Sequence, residues 1–107
     1  MTTAALLIAA CIAATQPSGS VQDRIARTWP GDDRAALSVA KCESSFDPTA
    51  RNGVHIGLFQ LSGRYHRGRA ARLGYSWEQM AQVEPNVRVA WDLYSEQKWR
   101  PWSCKPR

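Results

Sequence analysis

Two cysteines, Cys42 and Cys104, constrain the fold of this chain more than any other feature, because together they span most of its charged part. They form an even pair, which suits a disulfide in an oxidising compartment. Such a bond would close a loop of about 60 residues and contribute roughly 4 kcal/mol in the chain-entropy model. The alternative is two buried free thiols in a reducing compartment. We favour the disulfide, because so small a domain buries a modest core and gains much from a cross-link.

The first 20 residues contain no charged side chain and resemble a secretory signal or membrane anchor followed by a flexible join. The apolar run Leu6–Ala14 is too short to span a bilayer as a helix, and no Lys or Arg precedes it. Ile8–Cys11 is similar to a bacterial lipoprotein box, and a disordered leader is a further alternative. We expect residues 1–20 to be a leader that allows transient membrane contact, residues 21–107 to be one domain, and the protein to be secreted.

The charge of the domain favours an anionic partner. All 14 basic and nine acidic residues follow the leader, so the expected domain carries the whole net charge of +5. The segment from Arg64 to Arg72 concentrates basic residues, a pattern that gives salt-sensitive affinity for nucleic acids. No groove-reading motif accompanies it, and we expect no nucleic-acid partner. The scattered Cys and His residues lack metal-ligand spacing, so we expect neither a metal nor a cofactor.

Apolar residues recur at helical spacing along most of the domain, which predicts a mainly α fold. The helices expected are Val21–Trp29, Asp32 or Asp33 to Ser44, Gly63–Leu73 after a Ser62 cap, a short helix from the Ser76–Gln79 capping box to Pro85, and Asn86–Gln97. Asn52-Gly53 predicts a turn, and Val54–Leu61 is expected to be strand-like or irregular. The fold class is therefore a small helical domain with a short central hairpin or loop and an irregular tail, KWRPWSCKPR (residues 98–107).

Glu43 follows Cys42 in the last turn of the second expected helix, among apolar neighbours. If Cys42 is bonded to Cys104, then Trp99 and Trp102 come close to this carboxylate. Burial beside apolar surface and the negative end of a helix dipole both disfavour its charged form. A Glu that keeps its proton near neutral pH can protonate a leaving oxygen, as cleavage of a glycosidic bond requires. The alternative is a solvated residue at a helix end.

Residues that follow Glu43 also suit a sugar-binding cleft. Gly57 permits a close approach of the backbone, and Gln60 offers both a donor and an acceptor. His55 lies near them in sequence, although a loop histidine is commonly solvated. The five tryptophans can stack on sugar faces, but they equally suit a core.

The segment CESSFDPTARNGVHIGLFQLS resembles the signature of the transglycosylase branch of the lysozyme-like superfamily. The later segment EPNVRVAWDLYSEQKWRPWSC resembles the closing motif of that family. Small secreted members, and the related resuscitation-promoting factors, pair a cysteine before the Glu with a late one. The resemblance covers about Val21 to Cys104. It implies a lysozyme-like fold with one disulfide and an enzyme, secreted or associated with the cell wall, that cleaves peptidoglycan between N-acetylmuramic acid and N-acetylglucosamine.

Site residues are implied by position in the same motifs. Glu43 matches the catalytic acid/base. The substrate-binding positions implied are Gln60, Ser45, Gly57, Asn86 and Tyr65, with Tyr94 as an alternative to Tyr65. The partner is then the glycan strand of peptidoglycan, and we expect a monomer.

The number of carboxylates separates two mechanisms. A lytic transglycosylase needs one, whereas a hydrolytic lysozyme usually needs two. Asp47 is the candidate second carboxylate, although a residue before Pro48 is also typical of a turn. We expect the single-Glu route, with two-carboxylate hydrolysis and a non-catalytic wall-binding module as the alternatives.

Overall fold

A computed structural model describes residues 19–107. The apolar run and the lipoprotein-like box of the expected leader lie outside these residues. Within the described part of the chain, no helix combines the length and the apolar character needed to cross a membrane.

Helices make up most of the described residues, and a small sheet lies between them in sequence. The helices are α1 (Val21–Thr28), α2 (Asp33–Ser44), α3 (Arg67–Arg72) and α4 (Val83–Gln97), with a 3-10 helix at Trp77–Ala81. The strands are β1 (Arg51–Asn52), β2 (His55–Ile56) and β3 (Leu61–Ser62). They pair antiparallel in the order β1-β2-β3, with Ile56 opposite both Arg51 and Leu61. The predicted mainly α class with a central hairpin is confirmed, and β3 extends that hairpin to a three-stranded sheet.

The first two helices begin differently. Ser20 caps α1 in a reciprocal arrangement with Asp23: each side chain accepts a hydrogen bond from the backbone N–H of the other residue. Asp32 occupies the capping position of α2, but its side chain does not bond to the helix backbone. Its Oδ2 instead accepts hydrogen bonds from the Tyr94 hydroxyl (2.8 Å) and the Trp99 indole (3.1 Å). Asp32 therefore connects the start of α2 to α4 and the tail.

Two predicted helix boundaries are wrong. Pro85 does not end a helix, because α4 begins at Val83 and Pro85 is its third residue. Backbone N–H groups in the first helical turn have no intrahelical partner. A proline, which lacks this N–H, is therefore tolerated there. The other error is α3, which begins at Arg67 rather than Gly63. The Ser62 hydroxyl accepts from the Arg64 N–H (3.2 Å) and forms a local turn instead of a cap.

Trp29 lies at the centre of an aromatic cluster in the core. Its ring centroid is 5.0 Å from that of Phe59, 5.6 Å from Trp91, 5.9 Å from Tyr94 and 5.7 Å from Trp99. The cluster joins α1, the segment after β2, α4 and the tail, so that the irregular C-terminal segment packs as part of the core.

The disulfide between Cys42 and Cys104 is present and joins the end of α2 to the tail. Two further contacts hold the tail. The buried Trp102 donates its indole N–H to the Phe59 carbonyl (2.8 Å), and the Lys105 ammonium donates to the Arg100 carbonyl (2.9 Å). The tail is thereby fixed against both α2 and the segment that leads into β3.

Candidate active site

Glu43 is the second-last residue of α2, and the tail fixes its carboxylate. The side chain is half-buried. Its Oε2 accepts a hydrogen bond from the Cys104 backbone N–H (3.1 Å), and the Ser103 hydroxyl lies 3.5 Å from the same oxygen. The disulfide binds the residue before Glu43 to the residue that donates this hydrogen bond. One carboxylate oxygen is thus oriented by the protein, and the other is left for a ligand.

The chain turns sharply after Glu43. Ser44 is buried, and its hydroxyl is 2.8 Å from the Leu58 carbonyl and 3.1 Å from the Ala40 carbonyl. Ser45 and Phe46 have left-handed backbone conformations, with φ of 53° and 63°, which end the helix. Ser44 therefore ties α2 to the segment after β2. Ser45, for which the family resemblance implied a position near the cleft, is exposed at the helix end.

Gln60 lies between β2 and β3 in a left-handed conformation, with φ of 47°, and is largely buried. Its amide nitrogen donates to the carbonyls of Ala50 and Gly57, each at 3.0 Å. These bonds use the donors of the side chain and leave its oxygen as an acceptor. Gln60 can therefore accept a hydrogen bond from a sugar hydroxyl or amide.

Asn86 and Gly57 shape the segment that carries Gln60. Asn86 is fully buried; its Oδ1 accepts from the Phe59 N–H (3.0 Å), and its Nδ2 donates to the carbonyls of Ile56 (3.0 Å) and Met80 (2.9 Å). A Cβ on Gly57 would lie only 2.1 Å from Asn86 Nδ2, and the backbone has φ of 84°. The close approach expected at Gly57 is therefore to Asn86. Both residues therefore hold the backbone that carries Gln60.

Replacing Asn86 with alanine is expected to destabilise the fold by about 3 kcal/mol or more, because it removes three hydrogen bonds and leaves buried backbone groups unpaired. Urea unfolding would measure the loss. The matched control is Asn52→Ala, at an exposed residue of the hairpin, for which we expect a change within about 0.5 kcal/mol. Equal stability losses in the two variants would contradict the structural role assigned to Asn86.

A cleft of about 690 Å³ opens beside Glu43, a size typical of small-ligand sites. We call it the Glu43 cleft. Its apolar and aromatic wall consists of Leu61, Tyr65, Leu93, Pro101 and Trp102. Its polar wall consists of Glu43, His55, Gln60, Ser62, His66, Arg69, Gln97 and Ser103. A lining that combines apolar and hydrogen-bonding side chains suits a sugar, whose ring faces are apolar and whose edges are polar.

The sequence-predicted residues divide between this cleft and its supports. Glu43, Gln60, Tyr65 and His55 line it, whereas Ser45, Gly57 and Asn86 are not among its lining residues. Tyr65 is 74% exposed. The alternative tyrosine, Tyr94, also does not line it: its hydroxyl bonds to Asp32, and this bond is the main reason that the pKa of Tyr94 is raised. Tyr65 is therefore the tyrosine available to a ligand.

Glu43 is the only carboxylate among the described residues that line the cleft. The candidate second carboxylate, Asp47, is exposed, and its Oδ1 accepts from both the backbone N–H and the hydroxyl of Thr49, each at 2.9 Å. These bonds form a turn of the kind expected before Pro48. The position of Asp47 thus suits a turn residue.

Arg69 contributes a guanidinium group to the lining of the cleft, and two carboxylates outside the cleft pair with it. Its guanidinium is 2.6 Å from the Asp92 carboxylate and 3.2 Å from that of Glu96. Burial alone would lower the pKa of Arg69, but these two ion pairs outweigh it and raise the pKa, while the pKa of Glu96 is lowered mainly by its bond to Arg69. Burial, followed by the charge of Arg69, lowers the pKa of His66, which therefore lines the cleft as a neutral imidazole at neutral pH.

Five polar residues of the cleft were not predicted as site residues from the sequence: Ser62, His66, Arg69, Gln97 and Ser103. Ser103 could have been inferred from its position next to Cys104, once the disulfide was assumed. His66 and Arg69 belong to the basic segment, where nothing in the sequence distinguishes the buried Arg69 from its exposed neighbours. Within residues 19–107, no group of three or more His, Cys, Asp or Glu side chains is arranged to hold a metal ion.

Fold and cleft together define a small lysozyme-like domain. A family model described as a lysozyme-like domain matches residues 26–104, which include Glu43, Gln60 and both disulfide cysteines. The chain therefore belongs to the lysozyme-like domain family. Neither a curated protein nor a solved structure gives a significant match. Membership supports a lytic enzyme that acts on peptidoglycan as the general class of this protein.

Proposed function

We propose that this protein is a lytic transglycosylase that cleaves the β-1,4 bond between N-acetylmuramic acid and N-acetylglucosamine, with Glu43 as both acid and base. One observation carries the proposal. Glu43 is half-buried, is held by the Cys104 N–H, and is the single carboxylate that lines the cleft within the described residues. A reaction assigned to this site must therefore work with one carboxyl group.

In the first step, protonated Glu43 donates its proton to the bridging oxygen. The bond between this oxygen and C1 of the muramic sugar breaks, and the N-acetylglucosamine part leaves with a free hydroxyl. Positive charge develops at C1, and the carbonyl oxygen of the muramic N-acetyl group can stabilise it from the same substrate. This assistance removes the need for a second protein carboxylate.

In the second step, the Glu43 carboxylate acts as base. It takes the proton from the 6-hydroxyl of the muramic sugar, and that oxygen attacks C1 to close a 1,6-anhydro ring. Glu43 ends protonated, as it began, and no water is consumed. Because one oxygen of the carboxylate is held by Cys104, the other can serve both proton transfers from a fixed position.

The partners of the other carboxylates favour this route over hydrolysis. Retaining glycosidases place two carboxyl groups about 5 Å apart, and inverting ones about 6.5–9.5 Å apart. Asp47, the candidate partner, is bonded within its own turn and does not line the cleft. Asp92 and Glu96 are paired with Arg69.

The mass of the products tests the proposal. Purified peptidoglycan treated with the enzyme should release fragments that lack a reducing end and are one water lighter than the corresponding hydrolysis products. Mass spectrometry, with and without prior borohydride reduction, distinguishes the two, because only reducing ends gain hydrogen. Reducing fragments would contradict transglycosylation and support the hydrolytic alternative.

A further inference from the structure

A second pocket of about 760 Å³ adjoins the Glu43 cleft. His55 lines both, so the two are neighbours across one side chain of the hairpin. The second pocket is lined by three arginines, Arg51, Arg64 and Arg67, together with Val54, Trp77 and Glu78. We call it the arginine pocket. The proposed glycosidic chemistry does not use it.

One of these arginines is held in place by the pocket itself. The Arg67 guanidinium lies 5.4 Å from the centre of the Trp77 ring, and its Nε donates to the Gly63 carbonyl (3.1 Å). A Cβ at Gly63 would lie 3.1 Å from the Trp77 indole nitrogen, so glycine allows the ring to pack tightly against this backbone. Arg67 is thereby oriented before any ligand arrives.

The charge of the arginine pocket is not balanced by the protein. Three guanidinium groups share it with one carboxylate, Glu78. Among the described residues, the salt bridges involve Arg24, Arg69 and Arg88 and none of the pocket arginines. Guanidinium groups bind carboxylates with two parallel hydrogen bonds, which favours an anionic ligand at this position.

We propose that the arginine pocket binds the carboxylates of the peptide stem attached to muramic acid, so that the enzyme prefers glycan strands that carry peptides. The inference rests on the proposed function, because it assumes a glycan strand in the Glu43 cleft. The peptide stem branches from the muramic ring, and the shared His55 places the arginine pocket directly beside that strand. The stem carries free carboxylates and alanine methyl groups.

Apolar surface in the pocket favours a peptide over a phosphate polymer of the wall. Val54 is 55% exposed, and the half-buried Trp77 ring adds further apolar area. The alanine methyl groups of a stem can cover this surface, whereas a polyol phosphate chain offers little that would. Anionic carboxylates next to small apolar groups are therefore the chemistry that matches the pocket.

Binding is best measured in the Glu43→Gln background, where the strand stays intact. Calorimetry would compare muropeptide oligomers with the same glycans after an amidase has removed their stems. We expect the peptide-bearing strand to bind about tenfold tighter, and the added changes Arg51→Gln, Arg64→Gln and Arg67→Gln together to abolish that difference. Adding Arg34→Gln instead, at an exposed arginine outside both pockets, should leave the difference unchanged.

Equal affinity for bare and peptide-bearing strands would overturn the inference. The inference would also be overturned if affinity for whole walls fell after phosphate polymers were extracted but not after the peptide stems were removed. The proposed function fails separately, when the wild-type enzyme cleaves neither bare nor peptide-bearing strands. Because binding is measured without turnover, a preference for stems can be established or refuted in either case.

Discussion

Replacing Glu43 with glutamine is expected to reduce peptidoglycan cleavage by about a thousandfold or more, because one side chain both gives and takes the proton. Glutamine has nearly the same shape, but its amide cannot donate a proton to the bridging oxygen or accept one from the 6-hydroxyl. No other described carboxylate lines the cleft to replace it. Release of soluble muropeptides from purified walls would measure the effect.

The fold of this variant should persist. The glutamine side-chain oxygen can still accept the hydrogen bond from the Cys104 N–H, so we expect the free energy of unfolding to change by about 1 kcal/mol or less. Asp47→Asn is the informative control. Asparagine preserves the bonds to Thr49, and under the single-Glu mechanism the variant should keep most of its activity. A Glu43→Gln enzyme that retained a tenth of wild-type activity would contradict the assignment, and an inactive Asp47→Asn enzyme would favour hydrolysis.

The sequence predicted well those features that depend on local patterns. The apolar spacing of α1 and α2 indicated two helices whose ends agree with the structure to within a residue. The disulfide followed from the even number of cysteines, two, that remain after the expected leader is set aside. Asn52-Gly53 marked the turn between β1 and β2. Each of these features depends on a few neighbouring residues or on composition, which is why the sequence alone indicates them.

Pro85 shows where local patterns become ambiguous. A proline can end a helix or occupy its first turn, since neither position requires its N–H. The sequence suggested an ending, whereas Val83 and Glu84 precede the proline inside α4. The choice depends on how α4 packs against the rest of the fold.

The walls of the Glu43 cleft could not be predicted in the same way. They come from the end of α2, the β2–β3 segment, α3, α4 and the tail, which meet only in three dimensions. Asn86 and Gly57 illustrate the difficulty. A residue at a motif position near a cleft can contact the ligand itself, or it can hold the backbone of another residue that contacts the ligand. Only the three hydrogen bonds of Asn86 identify it as a support.

Removing the disulfide is expected to affect stability and activity together. For the double variant Cys42→Ser with Cys104→Ser, we expect the free energy of unfolding to fall by about 2–4 kcal/mol, since the bond closes a loop of 62 residue positions. Chemical denaturation, followed by tryptophan fluorescence, would measure this loss. The five tryptophans provide the signal, and two of them, Trp91 and Trp99, pack against Trp29.

The same variant should cleave peptidoglycan about 10- to 100-fold more slowly while still folded, because a catalytic group displaced by about 1 Å loses a large part of its rate. The disulfide holds Cys104 next to Glu43, and the Cys104 N–H orients the carboxylate. Some activity should survive, since the Trp102 indole still binds the tail to the Phe59 carbonyl.

A loss of activity could come from a misplaced Glu43 or from unfolding of the double variant. The assays should therefore be made at a temperature where denaturation curves show this variant to be fully folded. Under those conditions Ile25→Ala is the matched comparison: it destabilises the fold by truncating a buried side chain that does not line the cleft, and it leaves the hydrogen bond from the Cys104 N–H to Glu43 in place. If the disulfide orients Glu43, the cysteine variant loses more activity than Ile25→Ala at equal fractions folded. Equal activities would mean that the cross-link stabilises the domain without positioning the acid, and that the Trp102 contact alone is enough to hold the tail against α2.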